Sequence, residues 1–184
     1  ENIKEASPFY ESSRDILADV LERSGDLNFV FSVFERQKNL NVKMKIIYQS
    51  KLVEAGHKSY LEKNWKSAVN YYDRSLRYPE SREKEAEALY WLAYSYQQEN
   101  DYDQSVRFFN QYFTKSKKLT LALPYSPFMA YYGQGYIYIK QNKYKEAGEH
   151  FEQVHMLYFS DKLTSSPWKQ IASDAMVRHA DCLF

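Results

Sequence analysis

Residues 93–109 read AYSYQQENDYDQSVRFF, and this stretch decides the architecture. Upstream of the turn, Leu89, Leu92, Ala93 and Tyr96 recur at threes and fours, the spacing of one helical face. Glu99-Asn100-Asp101 then interrupts with polar turn residues, and Tyr102, Ser105 and Phe109 resume the spacing. A slim residue on each arm, Ala93 and Ser105, lets two antiparallel helix axes approach closely, while Phe109 fills the adjoining hole. The stretch therefore reads as a helix–turn–helix hairpin with one buried seam.

The same sentence is written four times along the chain. Gly25-Asp26-Leu27 leads to Val30 and Phe34, Lys63-Asn64-Trp65 to Ala68 and Tyr72, and Asn142-Lys143-Tyr144 to Ala147 and Phe151. The slim positions Val30, Ala68, Ser105 and Ala147 stand 38, 37 and 42 residues apart. Twelve residues before each lies Ala18, Gly56, Ala93 or Gly135, and three further on Leu21, Ser59, Tyr96 or Tyr138. Periods of this length mark stacked supersecondary units. A fifth half-unit follows, with Ala180 at the small position and Leu183 three later. It reads as a cap helix or as a repeat whose second half is missing, and its apolar residues up to Phe184 favour the second.

These residues resemble the tetratricopeptide repeat family, most clearly in Gly56…Trp65…Ala68…Tyr72, Ala93…Tyr96…Tyr102…Ser105…Phe109 and Gly135…Tyr138…Tyr144…Ala147…Phe151. The resemblance implies an all-α protein, a right-handed α-solenoid of antiparallel hairpins forming one array over 1–184. Its units would be 11–44, 49–82, 86–119 and 128–161, with a partial unit or cap at 167–184. Ser59 and Gln134 depart from the family's usual tyrosine and leucine. The family implies a scaffold that takes a partner peptide or helix on the concave face of its first helices. Carried onto this sequence, the groove residues are Tyr60, Tyr90, Tyr94, Gln97, Gln98, Met129, Tyr132, Tyr136 and Lys140, with a possible acidic lip of Asp15, Asp19 and Glu22. Val53, His57, Tyr90, Tyr94, Tyr132 and Tyr136 occupy the places where chaperone-tail binders grip a carboxylate, so a carboxylate clamp is not expected. The alternatives are a solute-binding protein holding a small hydrophobic or aromatic ligand, and a regulatory domain of a longer protein.

Composition and motifs narrow the field further. Lys+Arg 25 against Asp+Glu 24 supplies no overall field for nucleic acid. Tyr 18 in a chain with Gly 5 and Pro 5 points to packed surfaces with wet hydroxyl tips. No apolar run reaches the roughly 18 residues of a membrane span. His150 and His155 are five apart and miss the four-residue spacing of a helical zinc pair. Glu152-Gln153-Val154-His155 matches half of a di-iron motif and finds no second copy. Gly133-Gln134-Gly135 lacks the third glycine and the preceding strand of a dinucleotide site, and reads as small residues at a helix contact. Cys182, the one cysteine, reads as a small apolar residue. No enzyme, cofactor or metal is expected. The Lys-, Asn- and Tyr-rich, Gly-poor style resembles bacterial proteins of AT-rich genomes, and that likeness favours the cell envelope or periplasm over the cytoplasm.

Overall fold

A computed structural model describes residues 8–121, 123–161, 163 and 165–184. Helices follow one another: α1 (Pro8–Arg23), α2 (Leu27–Arg36), α3 (Val42–Leu61), α4 (Trp65–Ser75), α5 (Arg82–Gln98), α6 (Tyr102–Lys115), α7 (Pro127–Lys140), α8 (Tyr144–Ser160) and α9 (Ser166–Asp181). A short 3-10 turn, Leu123–Tyr125, precedes α7. No strand occurs among the described residues. The fold is all-helical, of the tetratricopeptide-like solenoid class. The chain divides into two compact units, Glu1–Ala88 and Leu89–Phe184, the division falling inside α5.

Three hairpin turns are built to one plan. Lys63, Asn100 and Asn142 adopt left-handed backbone conformations, with φ of 59°, 62° and 57°. The next residue donates its N–H to the carbonyl five residues earlier: Asn64 to Ser59 at 2.9 Å, Asp101 to Tyr96 at 3.0 Å and Lys143 to Tyr138 at 2.9 Å. This satisfies a carbonyl that the end of the first helix would leave unpaired. Asn64 and Asp101 then cap the next helix, accepting from the backbone N–H groups of Ser67 and Gln104. Turn and cap together fix where each second helix begins.

The seams follow from size. Ala68, Ser105 and Ala147 are fully buried. In unit 1 the Tyr72 ring lies directly against Gly56, leaving no room for a Cβ. In unit 2 a Cβ on Gly135 would come within 2.8 Å of the Phe151 ring. Between α5 and α6 the Ser105 hydroxyl donates to the Ala93 carbonyl at 2.7 Å, so even the polar slim residue is satisfied at its crossing.

Each unit has its own apolar centre. Unit 1 gathers Ala18, Leu21, Val30, Phe34, Met44 and Leu52 from α1, α2 and α3. Unit 2 gathers Phe128, Ala147, Phe151, Val154, Ala172 and Ala175 from α7, α8 and α9. In α9, therefore, the alanines facing inward are 172 and 175, while Ala180 is exposed.

His150 of α8 lies among the rings of Phe113, Tyr131 and Tyr138, at centroid distances of 6.3, 5.4 and 5.0 Å. Burial pushes its pKa below the ordinary value of 6.5, against the opposing pull of the Glu146 carbonyl and of the Glu149 and Glu146 charges. A histidine with a lowered folded pKa contributes stability that is complete above about pH 6.5. That contribution is lost as pH falls toward the folded value, because the unfolded chain binds the proton first. We expect the denaturation midpoint to fall between pH 7 and pH 5, and to fall less in His150→Phe. An unchanged pH slope in that variant would remove His150 as the cause.

Candidate partner-binding face

The tyrosines of unit 2 divide by depth. Tyr90 departs from the expectation that it lines a face, being only 2% exposed. Its ring is boxed in by Tyr94, Phe109 and Tyr112, at 4.8, 6.0 and 5.6 Å. Tyr94, one helical turn on, is half-buried; its hydroxyl donates to the Met129 carbonyl at 3.2 Å. The tip of that ring sits against Gly133, where a side chain would collide with it. The two glycines of Gly133-Gln134-Gly135 thus serve different neighbours. Gly133 receives Tyr94 from α5 and Gly135 receives Phe151 from α8.

Tyr132 and Tyr136 are half-buried and four apart on α7, with ring centroids 5.1 Å apart. Both hydroxyls donate to one carboxylate oxygen of Asp174 on α9, that of Tyr132 at 2.9 Å. Arg178 joins them, donating Nε–H to the Tyr136 hydroxyl at 3.2 Å and pairing with Asp174 at 3.5 Å and Asp181 at 3.1 Å. Burial, then the hydrogen bonds with Tyr136 and Asp174, hold the Tyr132 hydroxyl far above the usual tyrosine range. The Tyr132 phenol therefore stays a neutral donor. Met129 beside them is half-buried and Lys140 exposed. The result is a half-exposed aromatic pair whose rings are locked in place by a buttress on the next first helix.

Asp174 and Arg178 were not among the residues expected from sequence. A signal for Asp174 exists: with Ala180 at the small position of the fifth half-unit, it falls at the same groove position as Met129. The remaining expected residues are more scattered. Gln97 is half-buried and Gln98 exposed. In unit 1, Tyr60 is half-buried with its ring 4.9 Å from Trp65, and burial raises its pKa. Asp19 pairs with Lys43 at 2.7 Å, Asp15 accepts from the Asn41 amide at 3.1 Å, and Glu22 is exposed. Two of the three acidic side chains are thereby turned to α3.

Unit 1 also holds a partly buried polar chain. His57 Nδ1 lies 2.7 Å from the Tyr72 hydroxyl and its Nε2 lies 3.0 Å from Glu87, whose other oxygen takes Lys84 at 2.7 Å. Burial opposes ionisation of Glu87, yet the hydrogen bonds from His57 and Lys84 outweigh it and hold the carboxyl below its ordinary range. Tyr72 is fully buried, so the inner end of this chain of hydrogen bonds is closed to solvent. No cluster of three His, Cys, Asp or Glu side chains among the described residues could hold a metal ion. No helix among the described residues is long and apolar enough to cross a membrane.

Residues 62–154 match the family described as anaphase-promoting complex, cyclosome, subunit 3. The chain belongs to that family. Its repeats are of the tetratricopeptide type, which generally mediates protein–protein interaction. No curated protein matches the sequence. Among solved structures, the Arabidopsis OM64 TPR domain aligns with a TM-score of 0.58 and 20% identity, covering 74% of this chain and 98% of that one. A Podosopora anserina kinesin light chain with nearly identical TPR-like repeats aligns at 0.60 and 14% identity, covering 96% and 87%. At these identities the likeness concerns the fold. The family's repeat accounts for the glycines: Gly56 and Gly135 are its small position, while Gly133 is this chain's own accommodation of Tyr94.

Proposed function

We propose that this protein is an adaptor that docks a partner's peptide or helix on the first-helix face of unit 2. The observation that carries the reading is the convergence of the Tyr132 and Tyr136 hydroxyls on Asp174, with Arg178 closing the group. A hydroxyl already hydrogen-bonded fixes its ring without a partner's help, so less side-chain freedom remains to be lost on binding. Tyrosine then offers a broad ring for apolar contact, the residue type at which binding energy concentrates. The rim carries Lys140 and Arg178 against Asp174 and Asp181, with no excess of either sign. That suits a partner whose central contact is apolar.

Truncating Tyr136 or Tyr132 to alanine is expected to cost about 2 kcal/mol or more of partner affinity. The partner would be recovered by pull-down with the intact chain, identified by mass spectrometry and titrated against each variant. Chemical denaturation run alongside checks folding. Tyr136→Ala and Tyr132→Ala that unfold early yet bind normally under folding conditions would make these rings mere struts for α9, and the docking face would lie elsewhere.

A further inference from the structure

A cleft of about 560 Å³ opens in unit 1 where α2 ends, between the α2–α3 linker, α3 and the residues after α4. Its walls come from within residues 34–78, which described chain both precedes and follows. Its size falls among small-molecule sites, roughly 300–1,000 Å³. Rings form one side. Phe34 stacks on Tyr48 at 4.7 Å, and Tyr48 meets Tyr78 edge-on at 5.0 Å. Tyr48 is 4% exposed and Tyr78 half-buried, so the rings are held by their own packing.

Donors form the other side. Arg74 Nη2 donates to the Tyr48 hydroxyl oxygen at 2.8 Å and to Glu35 at 2.7 Å. The Tyr48 O–H proton itself meets no acceptor among the described residues, and the bond received from a guanidinium strengthens it as a donor. Lys38 is exposed, and no carboxylate pairs with it among the described residues; Lys45 reaches Glu80 at 3.3 Å. In the linker, the backbone N–H groups of Lys38, Asn39 and Leu40 make no hydrogen bond among the described residues, whereas the Asn39 carbonyl accepts from Arg14. Lys38, Lys45 and Arg74 thus surround the cleft against Glu35 and Glu80, and both carboxylates are already paired. Unspent donors and positive charge favour an anion. The rings favour a flat apolar body.

We propose that this cleft binds an aromatic carboxylate, its ring against Tyr78 and Tyr48 and its carboxylate received by the Lys38 ammonium and the Tyr48 hydroxyl. Lys38 and Lys45 repel a cation, and an aliphatic acid would leave the rings without a stacking partner. A free aromatic acid meets this chemistry, and so does an aromatic residue at the carboxyl end of a polypeptide. The site uses none of the residues of the tyrosine face, so it stands independently of the docking proposed above.

The whole chain, isotope-labelled and followed through its amide NMR signals, would be titrated with hydrocinnamate. Saturable shifts are expected within residues 34–48 and at Tyr78. Hexanoate, which lacks the ring, and phenethylamine, which lacks the carboxylate, should each bind at least about tenfold more weakly. Lys38→Glu changes an exposed side chain and should weaken hydrocinnamate binding by about fivefold. Tyr48→Phe keeps the ring and should weaken it by about tenfold. The tripeptide acetyl-Gly-Ser-Phe distinguishes the source: tighter binding than hydrocinnamate at the same residues assigns the cleft to a polypeptide end, and weaker binding assigns it to a free acid. Absence of saturable shifts, shifts centred elsewhere, equal binding of hexanoate or phenethylamine, or an affinity unmoved by either substitution overturns the proposal.

Discussion

Phe151→Ala is expected to lower unfolding stability by about 3–5 kcal/mol, the cost of emptying a fully buried aromatic site. The ring has no exposed surface. It lies against Gly135 on one side and against Tyr136, at a centroid distance of 5.3 Å, on another. Val154, Ala172 and Ala175 belong to the same core, so the vacancy would loosen both α7 and α9 from α8. None of these neighbours can fill it, because the slim residues around the ring are there to admit it. Urea denaturation followed by circular dichroism measures the loss. A cost below about 1 kcal/mol would mean that the seam collapses freely and is not what holds unit 2 together.

Tyr72→Ala should cost a similar amount in unit 1 and should be separable into two parts. Tyr72→Phe keeps the ring against Gly56 and removes only the hydroxyl that meets His57 Nδ1 at 2.7 Å. Leaving that nitrogen without its partner is worth about 1–3 kcal/mol. The remainder, up to the roughly 3–5 kcal/mol of an aromatic truncation, belongs to packing. A second substitution, Glu87→Gln, tests whether the chain acts as a unit: its effect should shrink in the Tyr72→Phe background, since Tyr72 and Glu87 meet the same imidazole. Fully additive effects in this double-mutant cycle would show that His57 transmits nothing between them.

The seams were readable because their chemistry is local and spaced: a slim residue, then an aromatic four later, twelve residues after another slim one. Size constraints of that kind leave the same residues at the same intervals whatever the rest of the fold does. The tyrosine face was readable only in part. Tyr90 and Tyr94 have the same four-residue spacing as Tyr132 and Tyr136, yet Tyr90 is buried among Phe109 and Tyr112 while the other three remain half-exposed. Depth depends on which rings the following helix brings over the face, and spacing carries no record of that. The packing partner of Tyr94 was hidden from the sequence for a related reason. The ring's seat is a glycine 39 residues away on α7, a partnership set by tertiary register. Asp174 lay within reach of the repeat frame, since extending the frame to the fifth half-unit places it at a groove position. Arg178 falls outside those positions and emerges only from the folded contact with Tyr136.

The three left-handed turns have a practical bearing on protein engineering. Asn100 and Asn142 use a residue that tolerates this conformation, whereas the equivalent turn residue of unit 1 is Lys63. Copying the chain's own solution, as Lys63→Asn, should recover up to about 1 kcal/mol of backbone strain. Lys63 is exposed, so no packed neighbour has to move. The melting temperature would report the gain. A more tolerant parent of this kind could carry destabilising exchanges in α3 or α4 without falling below the folding threshold, so that their effects on folding and on binding could be measured separately.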